Sequence, residues 1–256
     1  AAAPMARWSD VGRPAACHTG IPLINRSAFM DLVPRYDIYA PIHKALRLFM
    51  TDTLQRLSRV DVDDPQDLNA AMDQLDALLD TAASHLQHEN DYVHPFLEER
   101  CRGVTGRIAS EHIEHLEAIA MLRTEATALR TRAGETAAHR LYRHLAAFIA
   151  ENFEHMDDEE VRHNQALWDT CDDATLQALE ARILSNIDPE EMNQTMRWLI
   201  PALNPTERAQ LLAGLPAEAR MPVLDAACAL LDEAAWGKLC QALGIAAGPD
   251  RVEACA

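Results

Sequence analysis

Apolar side chains recur along most of the chain at alternating steps of three and four residues, the spacing that stacks them on one face of an α-helix. Pro41 can open a first helix where its missing N–H is not needed, and the pattern carries that helix from about 41 to 59 with Leu46, Met50 and Leu57 on one face. Asp63, Asp64 and Pro65 mark a turn, after which a second helix runs from about 65 to 99 on a stripe of Leu68, Leu75, Leu79, Ala82 and Phe96. Pro95 is expected to kink it or to end its regular part near residue 94. Gly103 and Gly106 interrupt the pattern, and a third helix over about 107–132 places Ile108, His112, His115, Ile119, Leu122, Ala126 and Leu129 inside. Gly134 closes it, and a fourth helix spans about 135–168 with Leu141, Leu145, Phe148, His155 and Glu159 inward. Four long amphipathic helices with short connections predict an all-α fold, an up-down-up-down antiparallel four-helix bundle.

The chain reads differently on either side of this block. Residues 1–35, punctuated by Pro4, Pro14, Pro22 and Pro34, are expected to form an extended N-terminal arm. Beyond Cys171, Asp172, Asp188-Pro189 and Asn204-Pro205 each combine a capping side chain with acids or proline in the next turn, and Gly214 and Gly244 are natural stops. Several short helices are predicted over 172–246, apolar on one face through residues such as Leu176, Trp198, Leu211 and Trp236. The expected division is therefore an arm over 1–35, the bundle over 36–170 and a C-terminal helical extension over 171–256.

Composition narrows the function classes. A net charge of −17 would repel a phosphate backbone and anionic lipid, so neither a nucleic acid nor a membrane is expected as partner. No apolar run reaches the roughly 18 residues of a membrane span. The first residues hold prolines and charges without an apolar stretch, unlike a secretory signal. Cysteines at 17, 101, 171, 228, 240 and 255 form no CxxC pair and read as free thiols of a cytoplasmic protein.

Histidine carries the chemistry. Ten of the eleven histidines fall between 43 and 163. His85 with Glu89 and His155 with Glu159 are each four apart, so each pair can aim an imidazole and a carboxylate at one point from one helix face. His43 on the first helix, and His112 and His115 on the third, answer them, and the two sets lie about 70 residues apart as though a helix pair were duplicated. All seven fall on stripes that face the core, where an unpartnered carboxylate would cost several kcal/mol. Metal ligation resolves that cost. Seven donors exceed what one tetrahedral zinc uses, and two ions bridged by the glutamates would use them all. Imidazole and carboxylate without thiolate suit iron, with manganese and zinc also compatible.

The stretches IHKALR, SHLQHENDYVHPFLEE, EHIEHLEAI and ENFEHMDDEE resemble the hemerythrin-like (HHE cation-binding) domains, in a bacterial form, over about residues 36–170. The resemblance implies His43, His85, Glu89, His112 and/or His115, His155 and Glu159 as ligands of two iron ions, with Glu89 and Glu159 bridging. Oxygen-carrying hemerythrins separate their two third-helix histidines by four residues and their fourth-helix histidine and acid by five. Here those gaps are three and four.

The other histidines, His88, His94, His139 and His163, read as solvated, and His144 as a candidate behind the ligands. Tyr36 and Tyr39 stand where they can close one end of the bundle. HExxH is absent, and Glu160 with His163 forms a single ExxH where ferritin-like bundles use two. Three functions fit: a protein that binds or senses oxygen, nitric oxide, peroxide or iron without turnover; a di-iron enzyme that reduces or disproportionates peroxide or nitric oxide; and an interaction protein that signals metal occupancy to a protein partner, or to a second copy of itself, through residues 172–246.

Overall fold

A computed structural model describes residues 35–245, so all but the last residue of the expected arm, and Cys17 and Cys255 with it, lie outside the described residues. Among these residues all regular structure is helical. Helix α1 (Ala40–Ser58) carries Pro41 in its first turn and buries His43, Ala45, Leu46, Phe49, Met50, Thr53 and Leu57. Helix α2 (Pro65–His88) starts where the Asp64 carboxylate accepts from the Gln66 N–H, relieving one of the unpaired donors of a helix start.

Instead of ending near residue 94, this helix changes type earlier. A π-helical turn occupies Glu89–Val93, closed by the His94 N–H donating to the Glu89 carbonyl, and α3 (His94–Arg100) continues through Pro95. Pro95 is not the cause. The same turn recurs at Glu159–His163, between α5 (Glu135–Asp158) and α6 (Asn164–Thr170), where Gln165 stands in the equivalent place. Helix α4 (Gly106–Thr131) buries Ile108, His112, His115, Ile119, Leu122, Ala126 and Leu129.

The long helices close a ring of contacts: α1 packs on α2 and α5, and α4 packs on the same two. Leu46, Phe49, Met50, Met72, Leu75, Leu79, Leu122, Leu145 and Phe148 fill the space between them. Beside the π turns a second cluster of Tyr39, Val93, Leu97 and Leu167 joins α3 to α6 and extends to Leu176 and Leu179 of α7 (Asp173–Leu184).

The C-terminal helices α8 (Pro189–Ala202), α9 (Pro205–Gly214), α10 (Ala217–Leu230) and α11 (Glu233–Leu243) share a core of Ile200, Leu212, Ala227, Leu231 and Leu239. Asp172, Asp188 and Asn204 cap as expected, Asn204 in a reciprocal box with Glu207, and Asp232 caps α11. Gly244 ends α11 at φ 67°, a left-handed conformation that glycine adopts without penalty. Helix α8 lies along α1: Trp198 stacks on Phe49 with ring centroids 4.0 Å apart, and Leu199 and Leu203 meet Ala45. Lys44 pairs with Glu207, and Ser84 donates to Glu191. No helix among the described residues is long and apolar enough to cross a membrane.

Candidate metal centre

The inner faces of α1, α2, α4 and α5 meet at one end of the ring in a cluster of imidazoles and carboxylates. Ligand atoms of His43, His85, Glu89 and Glu159 all lie within 4.8 Å of one another, and so do those of Glu89, His112, His155 and Glu159. The two groups share both carboxylates. In the first, His43 Nε2 stands 3.5 Å from Glu159 and 3.9 Å from Glu89, and His85 Nε2 stands 3.3 Å from Glu89. In the second, His112 Nε2 is 3.4 Å from Glu89 and His155 Nε2 is 3.4 Å from Glu159. The 3–4 Å gaps are those expected of ligands facing one ion across metal–ligand bonds of about 2.0–2.2 Å.

Each ring is held from behind. His43 Nδ1 contacts Glu160 at 2.9 Å, His112 Nδ1 contacts Asn90 Oδ1 at 2.9 Å, and His155 Nδ1 contacts Glu111 at 2.9 Å. Arg47 pairs with Glu160 and Arg107 with Glu111, fixing those acceptors in turn. A neutral imidazole has one N–H. Given outward to these acceptors, it leaves Nε2 as a bare lone pair pointing inward, the arrangement that orients and strengthens metal-binding histidines.

The interior, by contrast, is unsatisfied. His43 Nε2, His85 Nε2 and all four carboxylate oxygens of Glu89 and Glu159 are buried without a hydrogen-bond partner. His112 Nε2 and His155 Nε2 face each other at 3.2 Å, and with both protons engaged elsewhere this brings two lone pairs together. Buried polar groups are nearly always paired. A cation among these atoms satisfies every one of them, so the residues present fit a metal centre.

Electrostatics agree. Burial raises the Glu89 carboxyl above its usual range, and burial with the neighbouring Glu89 raises Glu159 much further. Burial and the surrounding imidazoles push His85 well below its usual value, His112 down to about 2 and His155 down to about 3. His43 departs from this pattern: burial lowers it, but Glu160 and Glu89 outweigh burial and its pKa rises. Apart from His43, the pocket therefore favours neutral imidazoles and resists two ionised carboxylates, a balance that positive charge between them would shift.

Six of the seven residues expected from the sequence thus converge. The seventh, His115, is buried with its ring centroid 4.8 Å from His155 and its Nδ1 unpartnered, but it belongs to neither group. Two histidines read as solvated are not. His94 is 6% exposed and His163 1%, and both turn inward beside the π turns, where their ligand atoms and one of Glu159 form a third group within 4.8 Å. Burial and His163 push His94 down to about 4, and burial lowers His163 against the opposing pull of the Val104 carbonyl and Asp158. His163 was legible, since it follows Glu159 by one helical turn. His144, expected behind the ligands, instead pairs with Glu125 at a half-exposed position. Tyr39 is buried beside His43, with its hydroxyl 3.2 Å from His163 Nδ1, whereas Tyr36 turns away and donates to Glu180. His88 sits 3.7 Å from Glu191 of α8, and His139 is exposed.

No curated protein and no solved structure matches the chain. Residues 36–162, which hold α1 to α5 and nearly all of the second π turn, match the family model described as hemerythrin HHE cation binding domain. With its histidines and glutamates gathered at the shared focus of those helices, this part of the chain belongs to the hemerythrin HHE cation-binding family.

Proposed function

We propose that the chain is a di-iron protein of the hemerythrin type that binds or senses a small oxidising or diatomic molecule (oxygen, nitric oxide or peroxide) or takes up iron. One observation carries this reading: two four-residue ligand groups share the same pair of buried, unpartnered carboxylates. His43 and His85 would hold one cation and His112 and His155 the other, with Glu89 and Glu159 common to both groups. The helices that deliver them form an up-down-up-down antiparallel bundle, a reading supported by the closed ring of contacts among α1, α2, α4 and α5 and by their short connections. Iron is favoured because every donor is imidazole or carboxylate and no cysteine enters the groups. When bound, iron would supply reversible electron donation to an external small molecule.

The chain's own residues bind, orient and seal. Glu160, Asn90 and Glu111 fix the imidazoles so that each Nε2 points inward. Tyr39, 1% exposed, packs its ring against His43 with centroids 5.3 Å apart and covers that side. Glu89 and Glu159, whose burial favours the protonated form, would serve as carboxylate ligands to a cation.

Metal content with the visible spectrum tests this. Two irons per chain are expected, with a new absorption band on exposing the reduced protein to air that disappears when oxygen is removed. Irreversible oxidation with consumption of peroxide would instead support the enzyme reading. A preparation holding one zinc defeats both.

A further inference from the structure

Beyond the two cation positions, the third group is unexplained. His94 and His163 are each more than nine-tenths buried, and the Nε2 of each has no hydrogen-bond partner. Their rings meet edge to face with centroids 5.8 Å apart, and His94 also stacks on His112 at 4.8 Å. His163 is backed by the Tyr39 hydroxyl at Nδ1, as the other imidazoles are backed by Glu160, Asn90 and Glu111. As an N–H donor, either Nε2 would be left unsatisfied; as a bare lone pair, each has a use if a cation lies between them.

Backbone geometry explains how they arrive there. Five residues of regular α-helix would leave His94 about 140° around from Glu89. The π turn, closed by a bond spanning five residues, widens the inward face so that Val93 and His94 are both buried. The equivalent turn buries His163 and Asn164 together. Each π turn therefore starts at a glutamate and buries both its last residue and the next one. This brings in His94 just after the first turn and keeps His163, one turn beyond Glu159, inside at the end of the second. π turns of this kind are frequent at functional sites.

We infer that His94 Nε2, His163 Nε2 and an oxygen of Glu159 form a third cation position, adjoining the pair and sharing Glu159 with it. The inference rests on the reading of Glu159 as a ligand. The cation is a divalent first-row metal, since two imidazoles and one carboxylate are its donors. At bond lengths of about 2.0–2.2 Å, ligand atoms around one ion sit about 3–4 Å apart, so small side-chain rotations close the group.

The full chain, stripped of metal and crystallised anaerobically with cobalt(II), provides the test through anomalous scattering. Three peaks are expected, one of them within bonding distance of both His94 Nε2 and His163 Nε2. Two peaks confined to the pair overturn the third position and leave the di-metal reading intact, while no peak at either place defeats both. In solution, equilibrium dialysis and elemental analysis should find one equivalent fewer in a His94→Gln, His163→Gln double variant than in the unmodified chain, three falling to two. The cysteines are common to both proteins and drop out of the difference. Equal counts, or a fall from two to one that assigns these histidines to the pair itself, overturn the proposal. The anomalous result decides the matter even where the double variant fails to fold.

Discussion

The two halves of the centre use the same backbone and differ in charge. His155, Glu159 and the second π turn follow His85, Glu89 and the first by 70 residues, and α6 follows α3 by the same interval. Within each π turn, the residue after the glutamate reaches across to a helix of the other half: Glu160 braces His43 of α1, and Asn90 braces His112 of α4, both at 2.9 Å. One brace is a carboxylate and the other a neutral amide. Against burial, Glu160 together with Glu89 lifts His43 above its ordinary pKa, while burial and neighbouring imidazoles take His112 down to about 2. At this pair of braces, near-identical geometry therefore leaves two unequal imidazoles, His43 more basic than His112.

The largest effect is expected at the shared carboxylates. Glu89→Ala should lose both cations, and with them the stability that metal lends the native state, about 4 kcal/mol per cation at metal concentrations a thousandfold above Kd. Elemental analysis with calorimetry in the presence and absence of metal checks it; retention of one cation would mean that the halves do not share this residue. Next, Glu160→Gln should weaken the cation at His43 and His85 by about 10–100-fold and leave its neighbour nearly unchanged, as read from stepwise titration. An equal loss at both would erase the inequality of the halves. The reverse change, Asn90→Asp, is expected to tighten the His112 position by about tenfold. A weaker second site in that variant would show that the amide was chosen for shape and not for its lack of charge. Smallest of all, His139→Ala on the exposed face should alter neither metal content nor melting temperature within error.

Much of this was legible in the chain because helical period and ligand spacing coincide. His85 and Glu89, and His155 and Glu159, lie one turn apart, so any helix that buries Leu86 and Met156 carries them to the same interior. The C-terminal helices were equally readable at their starts, where Asp172, Asp188 and Asn204 leave a local chemical mark. The π turns leave none. No residue type encodes a five-residue turn, so a reading at 3.6 residues per turn sent His94 to the surface. His163 is a different case: it lies one turn beyond Glu159 on the stripe of His155, so helical spacing alone places it inside. His144 shows the opposite error, since its place on the fourth helix left open an interior role that Glu125 had already taken at the rim.

The widened turns also constrain how this protein can change length. A regular surface loop tolerates an added or missing residue, but Glu89–Val93 links two helical stretches whose buried faces are set on either side of it. Removing one residue there would rotate everything downstream by about 100°, swinging Leu97 out of its contact with Leu167 and carrying the link to α4 with it. Spacing at this point is thus as much a part of the binding chemistry as the identity of the side chains.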